Sequence, residues 1–200
     1  MISAPEALQR LKAGNQRFVE QRSEIRVLDR AALLAGQQPF AIVIGCSDSR
    51  APVEPIFDQG FGDLFVVRVA GNIVSPTQIG SVEFAAEHFG SRLVVVLGHS
   101  GCGAVAATLA NLQHPAESGL DNLPSIVECI APAISALAQD PSGRDPDQLL
   151  AAAIRQNVRA QVTCLTDQSR ALSTMVEHDG LVIVGAEYAL ATGEVTFLDE

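Results

Sequence analysis

The chain has 200 residues, 48% hydrophobic and 18% charged, which is enough apolar material to bury the core of one domain and too much for a disordered protein. Its formal net charge of −10 argues against a nucleic-acid or anionic-membrane partner, since either needs a basic surface. No apolar run approaches the roughly 20 residues of a membrane span, so no membrane association is expected.

The first residues, MISAPEALQRLKAGNQRF, read as a polar amphipathic helix without the apolar core of a secretory signal. We therefore expect a cytoplasmic location, where the environment is reducing. Thiols or metal ligands are then favoured over disulfides for the four cysteines, which are Cys46, Cys102, Cys129 and Cys164.

Helices and strands alternate along most of the chain. Ser3–Glu6 is a capping-box pattern that predicts a helix to about Val19, and a short second helix is predicted at about Leu28–Ala35. Later helices are predicted at Glu54–Asp58, 75–90, about Cys102–Leu112, Leu123–Ala138, Asp145–Asp167 and Gln168–His178. Strands are predicted at Phe40–Gly45, Leu64–Val69, Arg92–Leu97 and Leu181–Tyr188, with a hairpin to a last edge strand in 191–198.

The first three strands are continuous apolar runs separated by helices. This pattern predicts an α/β fold with a parallel sheet covered on both faces. In such sheets, ligands lie beyond the carboxyl ends of the strands. The segments CSDSR (46–50) and GHSGCG (98–103) each follow a strand directly, so we expect them to meet at one edge of the sheet.

The side chains of Cys46, His99 and Cys102 offer two thiolates and an imidazole. This set suits Zn²⁺ and leaves the fourth tetrahedral position open for water. Taken singly, Cys46 is also typical of a small buried residue at a strand end, and His99 of a turn residue that caps the next helix. Their occurrence together at two strand ends favours the metal site.

Asp48 and Arg50 alternate with Cys46 along an extended segment, so all three side chains point the same way. Arg50 would hold Asp48 ionised and fixed in direction. Asp48 would then accept the hydrogen of a zinc-bound hydroxide and orient it towards a substrate. The alternative is that Asp48 binds zinc itself and closes the site.

Two catalytic motifs that these segments resemble do not match the sequence in full. Cysteine phosphatases use C-x₅-R to bind phosphate, whereas Cys46 and Arg50 form C-x₃-R. The segment GHSGC follows a strand as a G-x-S-x-G nucleophile elbow does, but Cys102 takes the place of the closing glycine.

The sequence resembles the β-class carbonic anhydrases. The similarity is carried by CSDSR, GDLFVVRVAGN (62–72), GSVEFAAEHFG (80–90) and VVVLGHSGCGAV (94–105), in family order and spacing. It is strong over about 35–110 and looser elsewhere.

The resemblance implies one Zn²⁺ on Cys46, His99 and Cys102, the dyad Asp48 and Arg50, and the reaction CO₂ + H₂O ⇌ HCO₃⁻ + H⁺ by attack of zinc-bound hydroxide. It implies a single domain over 1–200 with a four-strand, mostly parallel core and an added antiparallel edge strand. Residues 1–36 would form a helical arm on a partner subunit, in a homodimer or homotetramer.

The resemblance also implies an apolar substrate pocket partly across the dimer interface. The matching positions are Gln37, Phe65, Phe84 and the backbone N–H of Gly103.

Some family members close the site with the aspartate on zinc and hold an inhibitory bicarbonate with a Trp, an Arg and a Tyr. Arg68 and Tyr188 match two of these positions, but Val43 takes the place of the Trp. We therefore expect the open form. Two alternatives share the motif: a carbonyl sulfide or carbon disulfide hydrolase, and a non-catalytic zinc protein that serves assembly.

Overall fold

The strands form one mixed sheet. The structure, a computed structural model, describes residues 2–23, 33–115, 121–140, 143 and 145–198. Within these residues the sheet has the order β2-β1-β3-β4-β5, with β1 to β4 parallel and β5 antiparallel to β4. The strands are β1 (Ala41–Gly45), β2 (Leu64–Arg68), β3 (Leu93–His99), β4 (Val182–Tyr188) and β5 (Val195–Leu198). The predicted fold class is confirmed.

Helices cover both faces of the sheet. Alternate residues of β1 face opposite sides, and each side has its own apolar core. Ala41 and Val43 pack with α1, while Ile42 and Ile44 pack with α3, α6 and α7. The helices are α1 (Ala4–Val19), α2 (Val53–Ile56), α3 (Pro76–His88), α4 (Gly103–Gln113), α5 (Leu123–Gln139), α6 (Pro146–Asp167) and α7 (Arg170–His178), with a 3-10 turn at Ala70–Asn72.

The predicted starts of two helices carry the expected caps. The Ser3 side chain accepts a hydrogen bond from the Glu6 N–H at 3.4 Å, and α1 ends at Val19 as predicted. Asp145 and Gln148 form a full capping box at the start of α6, with Pro146 in the first turn. The second predicted helix, Leu28–Ala35, falls largely outside the described residues.

One boundary was wrong in a way that matters for the site. The third strand was predicted to end at Leu97, but β3 continues to His99. It does so because parallel pairing with β4 extends through Gly98↔Glu187 and His99↔Tyr188. His99 therefore lies on a paired strand rather than in the turn.

The helix α1 packs on its own chain. Ala4, Ala7 and Leu11 are buried in the same core as Val95 and Leu97 of β3. The expectation that residues 1–36 also contact a partner subunit stays a prediction. No helix in the described part of the chain is long and apolar enough to cross a bilayer.

Candidate metal centre

Three metal-binding side chains meet at the carboxyl edge of the sheet. Cys46 directly follows β1, His99 ends β3, and Cys102 precedes α4 as its N-cap residue. Their ligand atoms all lie within 4.8 Å of one another, and all three residues are buried. A set of two sulfurs and one imidazole nitrogen at this separation matches the donors that Zn²⁺ prefers.

The strand register brings these residues together. Gly45 at the end of β1 pairs with Leu97 of β3, so both chains leave the sheet at the same edge. The turn after His99 then needs the left-handed conformation of Gly101, which has φ 66°. That turn directs Cys102 back towards Cys46.

The imidazole of His99 is oriented for ligation. Its Nδ1 lies 3.0 Å from the Ser100 carbonyl oxygen, which can only accept, so the proton of the neutral ring lies on Nδ1 and the lone pair on Nε2. Nε2 is buried, and no described group is hydrogen-bonded to it. A buried polar atom left unpaired is costly, so the residues present fit a metal ion at this point.

The two thiols differ in acidity. Interaction with the Cys102 thiol lowers the pKa of Cys46, and backbone N–H groups of Gly71 and Asp48 support its thiolate at 3.3 and 3.4 Å from Sγ. The same interaction, together with burial, raises the pKa of Cys102. Without a metal ion, the pair therefore shares one proton and carries one negative charge.

Asp48 and Arg50 form a fork-shaped ion pair beside the cluster. Arg50 Nη2 lies 2.7 Å from Asp48 Oδ2, and Arg50 Nε lies 2.9 Å from Oδ1. These hydrogen bonds, with one from the Arg50 backbone N–H, hold the pKa of Asp48 well below its usual range. Asp48 Oδ2 is also 3.8 Å from His99 Nε2, so an ionised carboxylate faces the centre.

Arg68 has a role that the sequence did not indicate. It matched a bicarbonate-binding arginine, but here its guanidinium donates to the carbonyl oxygens of Cys46 at 2.9 Å and Asp48 at 2.7 Å. It thus holds the backbone of the ligand loop. Tyr188 is buried with its ring 6.4 Å from that of Phe18, and Val43 is fully buried in the core.

The predicted substrate residues divide into two groups. Gly103 is the first residue of α4 and lies next to Cys102. Gln37 is exposed and precedes β1. Phe65 lies on β2, where it pairs with Ile42 in the first half of β1. Phe84 of α3 is 51% exposed, with its ring 6.3 Å from Phe65. Within one chain, these three lie away from the edge that carries the cluster, so their place in the pocket stays a prediction that requires a second chain.

Comparisons with known proteins agree with the fold and the cluster. Residues 41–195 match the sequence model of the family described as carbonic anhydrase. Carbonic anhydrase 2 of Mycobacterium tuberculosis is 39% identical over 192 residues, covering 94% of this chain and 90% of that protein. These similarities extend well beyond the ligand loops.

Solved structures show the same architecture. A β-carbonic anhydrase of Aspergillus fumigatus superposes with a TM-score of 0.77 at 27% identity, over 98% of this chain and 90% of that one. A tetrameric β-carbonic anhydrase of Sordaria macrospora gives 0.76 at 26% identity, over 98% and 96%. The chain therefore belongs to the carbonic anhydrase family, in its β class, and the prediction that it is an enzyme of this kind is confirmed.

The unequal acidity of the thiols predicts one thiolate in the metal-free protein at pH 6. The pKa of Cys46 is lowered, so it is ionised there, whereas burial and neighbouring groups raise the pKa of Cys102, Cys129 and Cys164. Ultraviolet thiolate absorbance should show this charge, which the double variant Cys46→Ser/Cys102→Ser should remove and Cys129→Ser should keep. Absence of thiolate absorbance below pH 8 in the metal-free wild type would contradict the assignment.

Proposed function

We propose that the chain binds one Zn²⁺ through Cys46 Sγ, His99 Nε2 and Cys102 Sγ and catalyses the reversible hydration of CO₂ to bicarbonate and a proton. The observation that carries this proposal is the buried cluster, whose unpaired imidazole nitrogen lies 3.8 Å from an ionised carboxylate. Three protein ligands are typical of catalytic zinc sites, whereas structural sites are closed by four.

Zinc at this position would supply a nucleophile at neutral pH by lowering the pKa of a coordinated water. Two thiolates neutralise much of the ion's charge, so positioning by neighbouring residues gains importance. Asp48 is suited to this, because Arg50 fixes both of its oxygens and keeps it ionised. Its Oδ2 would accept a hydrogen bond from the attacking oxygen. That bond would orient a lone pair of the attacking oxygen towards CO₂.

The same ion pair favours the open site. For Asp48 to bind the metal, its Oδ2 would have to exchange the 2.7 Å bond to Arg50 for a metal bond. A second bond from Arg50 Nη2 to the Gly101 carbonyl at 3.4 Å links the two ligand loops in this arrangement. We infer that Asp48 stays on Arg50 and water completes the coordination.

Gly103 would orient the substrate. As the first residue of α4, its backbone N–H has no partner within the helix. The partial positive charge at that helix end favours the negative charge that develops as CO₂ becomes bicarbonate.

The remaining pocket residues would come from a second chain in a homodimer or homotetramer. Support comes from the exposed aromatic side chain of Phe84, which stacks on His88 with ring centroids 5.0 Å apart, and from the tetrameric assembly of the Sordaria macrospora relative. Gln37, Phe65 and Phe84 would then complete the site of the neighbouring subunit. A cytoplasmic location is part of this proposal, because a reducing environment keeps the ligand thiols available.

Carbon dioxide hydration is tested by stopped-flow measurement with and without a zinc chelator, beside an assay of hydrogen sulfide release from carbonyl sulfide. We expect one zinc per chain and hydration activity that is lost on chelation and restored by zinc. Faster turnover of carbonyl sulfide or carbon disulfide would favour the hydrolase alternative. Bound zinc with neither activity would indicate a non-catalytic assembly protein.

The role of Asp48 predicts that Asp48→Asn keeps zinc but lowers kcat by about 10–100-fold, as is typical when a group that orients a metal site is lost. Metal analysis and stopped-flow kinetics measure the two effects. Asp147→Asn, which changes an exposed carboxylate in the first turn of α6, is the matched control. Loss of zinc from Asp48→Asn would instead indicate that Asp48 is a ligand.

A pocket shared between subunits predicts complementation between two impaired variants. Gln37→Ala should lower kcat/KM by up to about 10-fold, the effect of one lost hydrogen bond, while Cys46→Ser should lose zinc. In co-expressed hybrids, the Cys46→Ser chain supplies an intact Gln37 to its partner's metal site, so activity should exceed the sum of the two homo-oligomers.

Cys46→Ser co-expressed with Cys102→Ser is the control, since no metal site in those hybrids is intact. Activity equal to the sum for the Gln37→Ala mixture would place Gln37 outside the neighbouring subunit's site.

A further inference from the structure

The sulfur of Cys46 depends on a loop that lies outside both ligand segments. The Gly71 N–H donates to Cys46 Sγ at 3.3 Å. To present it, Gly71 and Asn72 both adopt left-handed backbone conformations, with φ 72° and 45°. For Asn72 this conformation is uncommon and somewhat unfavourable, so the loop must be held by contacts elsewhere.

Two buried amide side chains of α6 provide those contacts. Asn157 Nδ2 donates to the Gly71 carbonyl at 3.0 Å, and Gln161 Oε1 accepts from the Val74 N–H at 2.8 Å. Gln161 Nε2 joins the pair by donating to Asn157 Oδ1 at 3.0 Å. The two amides therefore hold the loop at its left-handed turn and again two residues after it.

The hydrogen-bond network of the two amides is buried. Asn157 is 0% exposed and Gln161 is 3% exposed, and Gln161 Nε2 also donates to the Cys129 carbonyl at 3.3 Å. In such surroundings hydrogen bonds are strengthened, and losing one member leaves its partners unpaired. Substitution of either amide should thus free the loop from α6, because the remaining partners cannot hold it in place.

The helix α6, which carries these amides, also packs closely against β3, the strand that ends at His99. A Cβ atom added at Gly98 would lie 2.6 Å from Val158 Cγ2, and one added at Gly185 would lie 2.7 Å from Val158 Cγ1. Only glycine allows α6 to approach β3 and β4 this closely. The helix α6 therefore packs against Gly98, the residue before His99, and is hydrogen-bonded to the loop that supports Cys46.

We propose that Asn157 and Gln161 are positioning residues for the metal centre. Through Gly71 they hold a backbone N–H on the Cys46 sulfur, and they thereby set how firmly the centre retains its metal. The inference rests on the proposed zinc site. A role confined to folding would affect the stability of the chain and leave metal retention unchanged.

The test compares Asn157→Thr and Gln161→Met, which roughly conserve side-chain volume, with Leu165→Ala. Leu165 is fully buried in the apolar core two turns after Asn157 on α6, so its truncation lowers stability, while every hydrogen-bond partner of the loop stays in place. Unfolding by urea is measured for all variants. Zinc release to a coloured chelator is followed without denaturant, where circular dichroism shows each variant folded.

We expect both amide variants to release zinc about 10-fold faster than the wild type, as is usual when a partner of a ligand is lost. Their cobalt-substituted forms should show an altered sulfur-to-cobalt charge-transfer band. Leu165→Ala should keep the wild-type release rate and band despite its lower stability. If Asn157→Thr does not fold, Gln161→Met decides the question, because it leaves Asn157 in place.

The inference would be overturned if both amide variants released zinc no faster than Leu165→Ala and kept an unchanged cobalt band. A wild-type chain that binds no zinc would instead refute the proposed function. The two failures are therefore distinct.

Discussion

The parallel pairing of β1 with β3 is the constraint on which the site depends. The register from Ile42↔Val94 to Gly45↔Leu97 makes the two strands leave the sheet at one edge. Cys46 and His99 thus become neighbours although 52 intervening residues separate them. A shift of one residue would turn the side chains of β1 to the opposite cores and separate the ligand atoms.

Apolar residues surround the site that this register creates. The apolar cores on the two faces of the sheet hold strands and helices together, and a third cluster surrounds Cys46 and Cys102 beneath α4, α5 and α6. Its apolar residues limit water around the thiol groups, which strengthens each nearby charge. Arg50 and Arg68 lie at the rim, where they bond the carboxylate and the backbone of the ligand loop.

Much of this arrangement could be predicted from local patterns. Apolar runs indicated the first four strands, and capping residues indicated the starts of α1 and α6. The segments CSDSR and GHSGCG contained all three residues of the cluster. The end of β3 could not be predicted, because it depends on pairing with β4, which lies more than 80 residues later. The bonds from Arg68 to the backbone of Cys46 and Asp48 were missed for a similar reason, since a carbonyl acceptor leaves no trace in side-chain identity.

Residue types and local patterns specify the chemistry of this protein: the thiols, imidazole, carboxylate and guanidinium, and the strand ends from which they project. Residue type and short-range periodicity are local properties, so they can be recognised without a fold. The folded chain is needed to establish which nitrogen of His99 is free, how Arg50 forks onto Asp48, and that Asn157 and Gln161 reach the loop behind Cys46. The contacts of Asn157 and Gln161 join residues more than 80 positions apart in the chain, and they form because α6 packs closely over Gly98 and Gly185. The contacts of His99 and Arg50 join close neighbours in the chain, but they depend on backbone conformations that the fold fixes.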